Sequence, residues 1–249
     1  MKLNSELVWL SRPSWFKLAL AWGLGIGGEF ALIELGKREV PYLLPLVALA
    51  AISLMLAVGI SVWRLWYREE IDVFSLKGWE TGLAIFLGLM ITEAVLATPV
   101  LRPGLLSLST LWTLFYCIVL IGFTEELWWR GIWFAMFKGR PLYAILLGSL
   151  LFGGMHYQLH GIDSAMMAFF VGLVFAAARY RGVSIGTLAL THGMNDWIAQ
   201  GHLARWQWHH GVTVIHSLLF PICLLLAAVI LRSRAHEAEL SIASNGKHQ

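Results

Sequence analysis

Long apolar runs separated by short charged segments organise this chain. Eight of the runs are long enough to cross, or nearly cross, a bilayer, whose hydrocarbon core takes about 20 helical residues. They cover approximately 16–35, 42–65, 80–100, 108–137, 141–157, 164–179, 183–200 and 212–231. The fourth is longer than one span requires, which predicts tilt, an interfacial extension or a break near Gly122. The fifth and sixth are short and span only by leaning. No internal repeat is visible, and the polar tail 232–249 is expected to be disordered.

Composition supports the same picture. Hydrophobic residues make up 58% of the 249 and charged residues only 13%, against about 25% charged in a soluble domain. The expected fold is all-α, a polytopic membrane bundle of about eight helices. Three spans would lie in 1–107, a core in 108–200, a last helix in 201–231 and the tail in 232–249. Thirteen Trp and six Tyr fit aromatic belts at both interfaces. The first apolar stretch is long, contains Glu29 and lacks a cleavage signal, so it is read as a retained span. Cys117 and Cys223 lie in apolar runs and imply no disulfide framework.

Charge then orients the bundle. With both termini in the cytoplasm, 13 of the 18 Lys and Arg fall inside, four (Lys37, Arg38, Arg102 and Arg205) fall outside, and Arg130 stays within the fourth span. That is the bias expected of a membrane protein. The net charge of +3 is spread over loops, so the lipid bilayer, not nucleic acid, is the expected partner.

Glu125, Glu126 and Arg130 interrupt the apolar run LFYCIVLIGFTEELWWRGIWFAMF. An ionisable side chain at that depth costs from about 3 kcal/mol upward. Residues four apart share a helix face, whereas neighbours diverge by about 100°. Glu126 is therefore expected to pair with Arg130 as a brace, leaving Glu125 without a helical partner and free to act as a base. His156 closes LLFGGMH, and His192 lies in LALTHGMNDW with Asp196 one turn later. Counted from the nearest inside charge at 1.5 Å per residue, Glu125, His156, His192 and Asp196 lie roughly 17–24 Å deep. Three helices thus carry ionisable groups in one slab, which suits water activation by a carboxylate and an imidazole. A second imidazole would then serve a developing oxyanion. The set Glu125, His156, His192 and Asp196 is also able to hold zinc with an open position. Residue types alone do not separate the two schemes.

TEELWWRG contains EExxxR, Phe152–His156 gives FxxxH, and His192–Asp196 gives a His followed four residues later by an acid or amide. In this order the chain resembles the CAAX-protease and bacteriocin-processing family, the CPBP or Abi proteins, which are intramembrane endopeptidases of the Rce1 type. The resemblance covers about residues 108–200. It implies that Glu125 activates water with help from His156, that His192 stabilises the oxyanion with support from Asp196, and that Glu126 and Arg130 hold the helix. Many relatives carry Asn where this chain has Asp196, and the family has been described as both glutamate-dependent and metal-dependent.

The implied function is hydrolysis of a peptide bond in a membrane-associated substrate, in a prokaryotic cytoplasmic membrane. The alternative is a non-enzymatic scaffold or bacteriocin self-immunity protein with the polar residues as structural glue. Other polar residues are read as structural: Glu29 and Glu34 as reaching the interface, Glu93 as lining a cavity or forming a hydrogen bond, His160 as a loop or interfacial residue, and 205–210 as an outer aromatic anchor.

Overall fold

The computed structural model describes residues 15–101, 107–199, 204–208 and 222–229. Helices dominate it. Helix α1 is Phe16–Glu39 and α2 is Leu44–Tyr67; α3 is Trp79–Leu96; α4 is Leu108–Met136. Next come α5, Pro141–Tyr157, and α6, Gly161–Tyr180, then α7, Ile185–Ala199, and a helical stretch α8 over 222–229. Helices α1, α2, α4 and α6 are each long and apolar enough to cross a membrane. Large apolar side chains such as Leu20, Leu46, Leu87, Ile91 and Leu150 point outward. A water-soluble surface does not tolerate that many, but hydrocarbon does. The fold is a multi-pass helical membrane bundle.

Two boundaries differ from the sequence reading. The third span was expected to reach residue 100, yet α3 stops at Leu96 and Ala97–Leu101 form strand β1. Pro99 cannot donate within a helix, and Thr98 and Val100 favour extended backbone. Strand β1 pairs antiparallel with β2, Ala204–Trp208, in the register Ala97↔Trp208 to Leu101↔Ala204. The expected anchor at 205–210 therefore begins as ribbon. The fifth and sixth spans, in turn, have almost no loop between them. The helix Pro141–Tyr180 is interrupted only at Gly161, with φ 81° and ψ −170°, a conformation open to glycine alone. A Cβ on Gly153 would stand 2.7 Å from the Ala165 carbonyl oxygen and 2.9 Å from Phe169 Cβ. Residues equidistant from Gly161 thus touch, and α5 folds back along α6 as a hairpin.

The break expected near Gly122 takes another form. Helix α4 continues through it, but Tyr116–Gly122 and Leu127–Ile132 are wound as π-helix around the four residues Phe123–Glu126. Such widened turns often occur where helices carry functional groups.

Connections fix the alternation of direction. At one end, Lys138 Nζ lies 3.2 Å from Glu70 Oε2, and the Ser184 N–H donates to the Lys77 carbonyl at 3.0 Å. At the other end, the β1–β2 ribbon ties the end of α3 to the segment following α7. The N-terminal residues 1–14 and the tail 232–249 lie outside the described residues, as does most of the expected last span.

Candidate active site

Trp128 seats α4 in the bundle. Its ring lies against Gly25 of α1 and Gly59 of α2, where an added Cβ would come within 2.6 Å and 2.8 Å of the indole. Its Nε1–H donates to the Met55 carbonyl at 2.9 Å, which satisfies the one polar group of a fully buried Trp. Trp22 packs edge-on against Trp128, Trp129 and Trp133 at 5.1–5.2 Å.

Helix α7 approaches α4 from the other side through two glycines. A Cβ on Gly122 would stand 2.5 Å from the Ala189 carbonyl oxygen and 2.9 Å from Gly193 N; one on Gly193 would strike the Ile118 Cα and stand 2.6 Å from the Cys117 oxygen. Only hydrogen fits at either position. The two backbones therefore touch, and one turn from this crossing Glu126 meets His192.

At the centre, Glu126 is fully buried and Arg130 is 2% exposed. Arg130 Nη1 donates to Glu126 Oε1 at 3.0 Å and Nη2 donates to the Gly172 carbonyl at 3.2 Å. The expected pairing of Glu126 with Arg130 is present. The same Oε1 also lies 2.8 Å from His192 Nδ1. An ionised carboxylate only accepts, so this ring nitrogen carries the hydrogen. Sequence reasoning had assigned support of His192 to Asp196. Instead, Asp196 Oδ2 faces the other ring nitrogen, Nε2, at 3.7 Å, and Glu125 Oε2 faces it at the same distance. Both are too long for a hydrogen bond. His192 is thus held at Nδ1 by Glu126 and presents Nε2 between two carboxyl groups.

Phe152, the first residue of FxxxH, organises the rest. Its ring lies 4.4 Å below the Arg130 guanidinium carbon, 4.7 Å from the His156 ring and 6.0 Å from the His192 ring. Shielded from water, a cation–π contact of this kind contributes about 2 kcal/mol. His156 Nδ1 lies 3.0 Å from the Phe152 carbonyl oxygen. A carbonyl only accepts, so Nδ1 carries hydrogen and Nε2 of the neutral ring is left as an acceptor. Arg179 of α6, read from sequence only as a loop charge, donates from Nε to the Arg130 carbonyl at 3.0 Å and anchors α4 from below.

Glu125 and its neighbours are the chemically unspent part of the site. Glu125 is 8% exposed, and its Oε2 has no hydrogen-bond partner among the described residues. Glu125, Glu126 and Asp196 thus each lie within 4 Å of a His192 ring nitrogen, and the His156 ring packs on Phe152. For zinc the fit is poor: among the described residues no group of three or more His, Cys, Asp or Glu is spaced to hold a metal ion. The side chain of His160 lies outside the described residues. Glu34, as expected, is at the surface, 2.9 Å from Lys37 Nζ. Glu29, by contrast, is 8% exposed and packed inside the bundle.

Comparison with curated proteins and with solved structures gave no match. A family model does match, over residues 107–198, the stretch that holds all three motifs and every residue of the cluster just described except those from α1 and α2. The matching model is that of the family described as type II CAAX prenyl endopeptidase Rce1-like, so residues 107–198 of this membrane protein are similar to that family.

Proposed function

We propose that the protein is an intramembrane endopeptidase that hydrolyses a peptide bond of a membrane-associated peptide or protein with a water activated by Glu125 and His156. The carrying observation is the state of Glu125. A carboxyl group serving as glue between helices would be hydrogen-bonded, as Glu126 is. Both glutamates keep a buried Oε2 without a partner, but Glu126 is tied through Oε1 to Arg130 and His192, whereas the Glu125 carboxyl makes no such bond among the described residues and turns Oε2 toward His192 Nε2 at 3.7 Å. That favours the enzyme over a scaffold or immunity protein held together by the same residues.

In the proposed reaction Glu125 takes a proton from water, assisted by the acceptor Nε2 of His156. The resulting hydroxide adds to the carbonyl carbon of the scissile bond. His192, when doubly protonated, donates Nδ1–H to Glu126 and offers Nε2–H to the oxyanion that forms. Collapse of this intermediate breaks the C–N bond, and the proton first taken from water passes to the leaving amine. Arg130, Phe152 and Gly172 keep Glu126 in place and so fix the His192 ring. Among the described residues the side chains do not converge as a zinc ligand set, and the proposed reaction uses carboxyl and imidazole groups alone. A prokaryotic cytoplasmic membrane is the proposed location.

The test is cleavage of an internally quenched reporter peptide by purified protein in detergent or nanodiscs. Glu125→Gln and His156→Ala should each lower kcat/KM by at least about 100-fold. Wild-type turnover in either variant would sink the mechanism. Activity that persists after exhaustive chelation is expected; loss that is restored by added zinc would replace the glutamate scheme with a metal one.

A further inference from the structure

Helices α3 and α7 run parallel and touch at a glycine. A Cβ on Gly82 would stand 2.5 Å from Thr187 Cγ2 and 2.8 Å from Thr191 Oγ1. Only hydrogen fits there, so the two backbones close up while the large side chains above them stand apart. An apolar groove of about 380 Å³ is left between them. Leu76, Trp79, Leu83 and Phe86 wall it on one side and Leu190 and Met194 on the other, over a floor of Gly82, Thr187 and Thr191. The Thr187 hydroxyl is already spent, since it donates to the Lys77 carbonyl at 3.2 Å. From Trp79 to Phe86 the groove follows the helix axis for about 10 Å. Its volume falls in the range of small-ligand sites, about 300–1,000 Å³.

Neither the candidate active site nor α8 occupies this groove. At 3.6 residues per turn, Leu190 and Met194 are each turned about 160° from His192 on α7, so the groove lies behind the face that meets Glu126. On α3, Gly88 approaches Leu226 of α8 at 3.8 Å and is turned about 180° from Trp79. Leu83, Leu190 and Trp79 are 46%, 44% and 56% exposed, so the groove opens outward, where the hydrocarbon of the bilayer lies. Its two ends differ. Phe86 and Met194 close the deep end with apolar groups. At the other end the exposed Lys77 sits between Leu76 and Trp79, and its backbone is pinned by the Ser184 N–H at 3.0 Å. A Cβ on Gly78 would stand 2.9 Å from Val183 Cγ2, which brings the turn holding Arg181 beside it. A Trp and a Lys at the end of an apolar helix mark the membrane interface. Glu80, the acid of that first turn, is turned about 100° from Trp79.

We propose that the groove holds one acyl chain of a phospholipid, with the lipid's anionic phosphate at Lys77. The order of groups along the groove matches the order along such a lipid: hydrocarbon at Phe86 and Met194, interface at Trp79, phosphate at Lys77. A bound chain backs α7 on the face opposite His192 and so supports its seat against α4. The inference goes beyond the endopeptidase reading and does not depend on it.

Photocrosslinking tests the site without requiring cleavage. Delipidated full-length protein in detergent receives limiting phosphatidylglycerol that carries a diazirine in one acyl chain. Mass spectrometry of the digested protein should find adducts on Leu83, Phe86, Leu190 or Met194 at least tenfold above those on Leu20 and Leu46, which also face outward from α1 and α2. Leu190→Trp fills the groove from its open side. It should cut the groove adducts at least tenfold and leave those on Leu20 and Leu46 unchanged. Its Tm reports folding; should it fold poorly, Met194→Trp is read by the same criterion. Lys77→Gln should weaken the lipid's apparent affinity about fivefold, the worth of one lysine beside an anionic headgroup. A fatty alcohol with the same diazirine chain should label wild type and Lys77→Gln equally. Labelling no greater in the groove than on Leu20 and Leu46, or an unchanged yield in the groove-filling variant, overturns the site. An unchanged affinity in Lys77→Gln overturns the placement of the phosphate. Adducts displaced by an excess of the reporter peptide would assign the groove to substrate and overturn the lipid.

Discussion

Glu126 uses one oxygen for two partners, and this separates its expected mutational behaviour from that of its neighbour. Truncation to Ala would leave Arg130 buried, charged and unpaired, which costs about 3–5 kcal/mol. For a chain of this size that is a fall in Tm of roughly 10 °C, measurable in detergent by tryptophan fluorescence, and His192 would lose its Nδ1 anchor as well. Glu125→Gln should behave oppositely, keeping a Tm within about 1 °C of wild type while losing turnover. If Glu126→Ala proved as stable as wild type, the buried Arg130–Glu126 pair would not be the brace described. Asp196 supports a third expectation. At 3.7 Å from Nε2 it makes no hydrogen bond with His192, so Asp196→Asn should retain kcat/KM within about tenfold. A loss as large as that of Glu125→Gln would make Asp196 a reacting group. The pairing of Glu126 with Arg130 was legible from a four-residue spacing. Its bond to His192, 66 residues away, was not, because no rule of spacing reports which azimuth one helix shows another.

At the level of elements, the site depends on how closely α4 and α7 approach. Gly122 and Gly193 let the two backbones touch, and nothing larger than hydrogen fits at their contact. Gly193→Ala and Gly122→Ala should each force a local separation, with a stability loss of about 1–3 kcal/mol and a drop in kcat/KM of at least tenfold. A Gly193→Ala enzyme with wild-type kinetics would show that the crossing has slack. The sequence did hold a signal for this contact, since Ala189 and Gly193 are four apart on one helix face, the spacing by which membrane helices pack closely. Helix α4 was less legible. Its π-wound stretches on either side of Phe123–Glu126 coincide with the seat of Trp128 and the glycine crossing, and an apolar run of fixed length does not encode a change of winding. The α5–α6 reversal lies between these cases: the two short runs were visible, but only the backbone reveals that Gly161 alone turns the chain.

For the whole molecule, the apolar runs marked the helices found among the described residues. The strand ribbon after α3 escaped, because Thr98 to Leu101 is apolar enough to read as a helix end. Glu29 escaped for a related reason, since a carboxylate near the end of an apolar run is indistinguishable from one that snorkels to the interface. The structure gathers the turns after α2, α4 and α6 at one end, through Lys138–Glu70 and Ser184–Lys77. The membrane side of that end is a matter of charge. The basic residues give the expectation, because Arg64, Arg68, Lys77, Lys138, Arg140, Arg179 and Arg181 all belong to it, whereas Lys37 and Arg38 lie at the other. The positive-inside bias then places the turns in the cytoplasm. Single cysteines at Lys138 and Lys37, in a chain carrying Cys117→Ala and Cys223→Ala, check this with a membrane-impermeant thiol reagent on intact cells. Lys37→Cys should label at once and Lys138→Cys only after the membrane is opened. The reverse pattern would invert the bundle and bring substrates to the site from the opposite side, while the contacts among Glu125, Glu126, His156 and His192 would stand unchanged.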